Sequence, residues 1–253
     1  MKQQAVTIEL HNGNKLYAVM SSPDERLVEN LDKTLVVMLH DIPYGDYREH
    51  EDLFSHVRGV FDDYGYQTLM FDFESCGESD GKPESFDLET ARQNLREILV
   101  WAQMRGFEKF IFVACGVGAA FALEFTNDKV PMVFLFWPVV DLALHAQGLF
   151  YDGLNEVIAR GRKIGAKLVE QMENYDPKRA MKTLKIPILI QYGAEDEDVS
   201  LSHTDYIKNN FKALRIDVTS YQDGTSGLTD PRHRAMIAHH IGAFWINILD
   251  FTA

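Results

Sequence analysis

The segment Phe110-Ile-Phe-Val-Ala-Cys-Gly-Val-Gly-Ala-Ala120 constrains the fold more than any other. Its first six residues form an unbroken apolar run, suited to a strand buried on both faces. Gly116, Gly118, Ala119 and Ala120 follow with no polar spacer, so the chain turns sharply and enters a helix through residues too small to block close packing. A strand feeding directly into a helix is half of a crossover, and crossovers join parallel strands. Further strand segments are predicted at 34–39, 66–73, 132–136 and 186–192. Between them Leu53, Phe54, Val57, Val60, Phe61 and Tyr64 repeat at helical spacing. So do Leu88, Ala91, Leu95, Ile98 and Ala102, behind Asp87 as a cap. Pro231 opens a last amphipathic helix with Ile237, Ile241, Phe244, Trp245 and Ile248 on its inner face. Residues 5–10 and 15–20 alternate around Asn12-Gly13, predicting an opening hairpin, and 215–221 alternate as a strand nearer the sheet edge. The pattern predicts an α/β fold, a mostly parallel central sheet with helices on both faces and its functional positions at the C-terminal ends of the strands.

At 253 residues, with 46% hydrophobic and 25% charged residues, the chain is expected to form one domain over 1–253. Residues 141–176 break the alternation and read as a mostly helical insertion, a small cap over the strand ends. A net charge of −13 argues against nucleic acid and against an anionic membrane surface, since both demand clustered cations. The first residues lack a secretory apolar stretch, and no run reaches membrane-spanning length. Cys76 and Cys115 are too few for a disulfide framework and are not spaced as a metal site. The acidic turn Glu195-Asp-Glu-Asp198 matches no dedicated cation loop. The expectation is a cytoplasmic protein without metal or cofactor.

Several motifs in order resemble the α/β-hydrolase superfamily, in particular its single-domain bacterial esterases of the feruloyl-esterase and serine-aminopeptidase type. Leu39-His-Asp-Ile-Pro43 is similar to the oxyanion loop, and Phe71 to Gly81 to the D-x-x-G-x-G-x-S stretch. Ala114-Cys-Gly-Val-Gly118 occupies the G-x-S-x-G elbow. Residues 191–199 resemble the segment carrying the triad acid, and 223–231 the turn carrying the triad histidine. Carried over residue by residue, the resemblance puts the nucleophile at Gly116, the acid at Asp196 and the base at Ser226, with Ile42 and Val117 as the oxyanion-loop amides.

Two of those three triad positions hold residues unable to play their parts. Acyl transfer on this scaffold needs a hydroxyl or thiol deprotonated by an imidazole that a carboxylate orients. Gly116 has no side chain, and a serine at 226 accepts no proton near neutral pH. Asp41 stands where the loop usually has glycine, and its charge opposes a developing oxyanion unless it points into solvent. Glycine at the elbow also relieves backbone strain of roughly 1–3 kcal/mol.

The expectation is therefore a protein inactive as a serine hydrolase that binds a small apolar or aromatic ligand, or a protein partner. Pocket candidates are His40, Asp41, Cys115, Trp137, Phe150 and Tyr151. The alternative is an active carboxylic-ester hydrolase using Cys115 or a displaced histidine. A further reading is a scaffold acting through its surface as a homodimer. His40 is expected to support the oxyanion loop. His233 is expected on the surface in a helix's first turn, His145 and His203 are expected to be exposed, and at most one of His239 and His240 faces the core.

Overall fold

A computed structural model describes residues 2–23, 33–42, 45, 48, 51–147, 150–151, 157–159, 162–176, 186–197, 199–211, 213 and 215–252. The chain opens with strands β1 (Lys2–Glu9) and β2 (Lys15–Ser22), antiparallel from Lys2 opposite Ser22 to Glu9 opposite Lys15. Asn12 and Gly13 lie in the turn between them, and Gly13 has φ +86°. The remaining elements alternate: β3 (Thr34–Leu39), α1 (Glu51–Asp63), β4 (Gln67–Phe71), α2 (Leu88–Gln103), β5 (Lys109–Cys115), α3 (Gly118–Glu124) and β6 (Val133–Phe136). After an insertion come β10 (Pro187–Gly193), α6 (Ser202–Asn210), β11 (Arg215–Tyr221) and α7 (Pro231–Thr252).

The eight strands of the main sheet lie in the order β1-β2-β4-β3-β5-β6-β10-β11. From β4 to β11 every neighbouring pair is parallel. The pattern is what buried, branched and aromatic runs produce when helices cover both faces. β3 and β5 are buried along nearly their whole length. On one face α1, β6 and α7 meet through a ring cluster. Phe61 lies 5.4 Å from Phe134 and 6.0 Å from Trp245, and Phe134 lies 5.7 Å from Phe244. These edge-to-face contacts bring together the apolar stripes that the helical spacing predicts. α2 and α3 are joined by an ion pair between Arg92 and Glu124 at 2.7 Å, with the Arg92 guanidinium 5.9 Å from the Phe121 ring.

The insertion carries strand as well as helix among its described residues. It contains α4 (Leu142–Ala146) and α5 (Ala166–Glu173), and between them an antiparallel ribbon of β7 (Phe150–Tyr151), β8 (Val157–Ala159) and β9 (Arg162–Ile164). Strands of two or three residues are too short to show alternation. α5 is fastened to the start of α2. Gln171 accepts the Leu88 amide at 2.7 Å, one of the amides a helix start leaves without an internal partner, and Lys167 pairs with the capping residue Asp87. Among the described residues no helix is long and apolar enough to cross a membrane.

Candidate functional site

β5 passes into α3 through Gly116 and Val117. Gly116 has φ +49°, in the left-handed region where a Cβ is strained. Its amide donates to the Phe136 carbonyl at 3.2 Å, and its own carbonyl accepts from Val139 at 2.9 Å. The turn is thus pinned to β6. At Gly118 a Cβ would come within 2.6 Å of the His40 carbonyl oxygen, so only glycine lets α3 begin this close to the end of β3.

The same closeness brings Asp41 to Gly116. Leu39 pairs with Ala114 in the β3–β5 ladder, so the residues two places further on emerge side by side. A Cβ built on Gly116 would lie 2.2 Å from both Cγ and Oδ1 of Asp41. Asp41 is 3% exposed, and its Oδ1 accepts the Val117 amide hydrogen at 2.8 Å. Its carboxylate thus fills the space a side chain at 116 would need, and it engages one of the two amides that the resemblance assigns to an oxyanion.

His40 is wholly buried and supports this arrangement from behind. The Phe73 amide donates to Nε2 at 3.1 Å, so Nδ1 carries the proton and donates to the Asp41 carbonyl at 3.0 Å. Cys115 is wholly buried as well. Burial pushes its thiol well above the ordinary range, the Asp41 charge adds to that, and Arg234 opposes it more weakly. A protonated, enclosed thiol is a poor nucleophile. Cys76 is also buried, neither cysteine is in a disulfide, and β3 lies between the strands whose ends carry the two cysteines.

The loops after β10 and β11 are laced together. Ala194 donates to the Tyr221 carbonyl and Glu195 to that of Gly224, both at 2.9 Å. Asp196 Oδ1 accepts the Val199 amide at 3.0 Å. Ser226 opens a short 3₁₀ turn, Ser226–Leu228, with φ +78° at Gly227 and +47° at Leu228. The Ser226 side chain lies outside the described residues.

His233 is not a surface residue. It is 4% exposed, its ring packs 5.2 Å from that of Tyr221, and Nε2 lies 2.8 Å from Asp223 Oδ1. The first turn of α7 folds onto the end of β11, a tertiary contact that local spacing does not encode. The Nδ1 atom has no partner among the described residues. Asp223, Asp230 and His233 bring three ligand-type atoms within 4.8 Å of one another, but the Arg232 guanidinium bonds both carboxylates and supplies the charge a cation would bring. His240 is half-buried, with Nδ1 3.1 Å from the Tyr221 hydroxyl, whereas His239 is exposed.

Trp137 is buried with φ +36°, and its amide donates to the Gln191 carbonyl at 2.8 Å. The Phe150 and Tyr151 side chains lie outside the described residues. His203 is buried and not exposed as expected, and its Nδ1 accepts the Asp141 amide hydrogen at 3.2 Å. His145 is half-buried, its ring 6.4 Å from that of His203. Both corrections have one cause: α6 packs where the insertion leaves the sheet.

Arg234 carried no signal in the sequence. It is half-buried, its Nε donates to the Leu228 carbonyl at 2.7 Å, and its charge is felt at Cys115.

No described protein family matches the chain, and no curated protein matches it by sequence. Solved structures do. The esterase Est1E from Butyrivibrio proteoclasticus with ferulic acid bound matches 96% of this chain and 98% of its own, with a TM-score of 0.81 at 20% identity. Mouse alpha/beta hydrolase domain-containing protein 10 matches 99% of this chain and 100% of its own, with a TM-score of 0.78 at 13% identity. The esterase domain of a Rhodothermus marinus protein matches 96% and 98%, with a TM-score of 0.73 at 17% identity. The chain has the α/β-hydrolase fold.

Proposed function

We propose that this α/β-hydrolase-fold protein is inactive as a serine hydrolase and binds a small apolar or aromatic ligand at the strand ends beneath the 141–176 insertion. One observation carries the reading: the Asp41 carboxylate lies where a nucleophile's side chain would project and holds the Val117 amide. Losing the nucleophile alone from a comparable triad lowers turnover roughly a million-fold. Blocking an amide donor aimed at the oxyanion removes a further factor of about 10²–10³. The size class of the ligand is supported by Est1E, a structural neighbour solved with ferulic acid bound. Two buried cysteines that form no disulfide support a reducing, cytoplasmic setting.

The second reading, an ester hydrolase with displaced machinery, draws on the buried His233–Asp223 pair. Its candidate nucleophile, Cys115, is sealed in the core. A fluorophosphonate probe and p-nitrophenyl acetate distinguish the two. The pure protein is expected to take no label and to hydrolyse the ester no faster than buffer. Covalent labelling of any side chain during turnover establishes the second reading instead. Homodimer formation is a separate matter, read by light scattering.

A further inference from the structure

α1 buries an apolar stripe of Leu53, Phe54, Val57 and Phe61, and beside that stripe runs a polar seam. Gln3, Ser21 and Thr68 stand opposite one another across β1, β2 and β4, so their side chains share one face of the sheet. With its side-chain oxygen turned toward α1, Gln3 accepts from both terminal nitrogens of Arg58, at 2.9 and 3.0 Å. Arg58 is buried, and its Nε has no partner among the described residues. The hydroxyls of Ser21 and Thr68 are likewise enclosed without a partner. Asp62 follows Arg58 by one helical turn, and neither of its enclosed carboxylate oxygens has a hydrogen-bond partner among the described residues. It also lies in the last turn of α1, at the negative end of the helix dipole.

An ionised carboxylate is badly placed there, whereas a neutral acid is tolerated. Burial pushes the Asp62 carboxyl up from its ordinary 3.8 to about 6, and the neighbouring Asp63 adds to that. Arg58 and the amino terminus ahead of β1 oppose it. Among the described residues of β4 and α7, which also pack against α1, no charged group acts on it. The start of β1 is the weak side of this joint, because Lys2 to Ala5 are exposed on an edge strand.

We propose that the joint between the end of α1 and the start of β1 is a proton-operated latch: neutral Asp62 keeps it shut, and ionised Asp62 loosens it. Opening gives the carboxylate, the Arg58 Nε and the two hydroxyls water partners that the closed joint denies them. The closed form holds the Asp62 proton more tightly than the open form. Its advantage is therefore complete below about pH 3.8 and is lost as pH rises through about 6.

Native-state hydrogen exchange on the full chain between about pH 5 and 8, corrected for the intrinsic pH dependence of exchange, tests the latch. The opening constant for residues 2–5 and 60–63 is expected to rise about tenfold from pH 5 to 7.5 and to level off above about pH 7. The amides of β5 are expected to show no such step. Asp62→Asn keeps the shape of the side chain and cannot ionise, so its opening constant is expected to stay within about twofold over the same range. A flat profile in either segment of the unmodified protein, or the same rise in Asp62→Asn, overturns the latch. If that variant does not fold, the Asp62 carboxyl ¹³C resonance of the unmodified protein decides. A midpoint near pH 6, where the opening levels off, supports the latch, and a midpoint below about pH 5 overturns it.

Discussion

At position 116 the backbone and a neighbouring side chain each restrict what the residue can be. A φ of +49° costs a residue with a Cβ roughly 1–2 kcal/mol. A Cβ 2.2 Å from the Asp41 carboxyl carbon forces that group off the Val117 amide, and a buried amide left without a partner costs about 1–3 kcal/mol more. Gly116→Ala is therefore expected to destabilise the protein by about 2–5 kcal/mol, and by only about 1–2 kcal/mol when Asp41 is also glycine. Urea unfolding of the four proteins in a double-mutant cycle measures the coupling, and additive effects contradict the contact. Asp41 was legible as a departure from the expected loop. Its seat was not, because that depends on the β3–β5 register, which neither strand encodes alone. His233 and His203 were misread for a related reason: what buries them is packing between elements far apart in the chain.

Among the elements, the long helices and the opening hairpin were legible because amphipathic spacing repeats over several turns and Asn-Gly marks a tight reversal. The ribbon within the insertion was not, its strands being two or three residues long. The insertion is tied at its start by His203 of α6, which must be neutral at Nδ1 to accept the Asp141 amide. Burial lowers the His203 pKa below its ordinary value, and the Asp141 carboxylate counteracts this only in part. The native state thus binds protons less readily than the unfolded chain. The stabilisation is present in full above about pH 6.5 and is lost as pH falls from there through the lowered native value. Urea unfolding between pH 7.5 and 5 is expected to show a steeper decline in the unmodified protein than in His203→Gln. Parallel profiles contradict the tie.

For the whole molecule, the fold could be read because strand and helix signals alternate over almost the entire chain and agree with one another. What a site at these strand ends would accept was less legible, since it depends on how loops far apart in the chain are arranged. Their arrangement also predicts what restores hydrolysis. Gly116→Ser with Ser226→His is expected to stay unlabelled by a fluorophosphonate, because Asp41 still fills the space and holds the amide. Adding Asp41→Gly is expected to produce labelling and detectable cleavage of p-nitrophenyl acetate. A folded triple variant that remains silent shows that the carbonyl-binding ground has drifted beyond these three positions. Cys76 and Cys115, meanwhile, are the chain's two thiols and both lie inside. An alkylating reagent can reach them only when the interior opens, so the pace at which iodoacetamide adds mass to the intact protein is a clock for that opening, built in without any label.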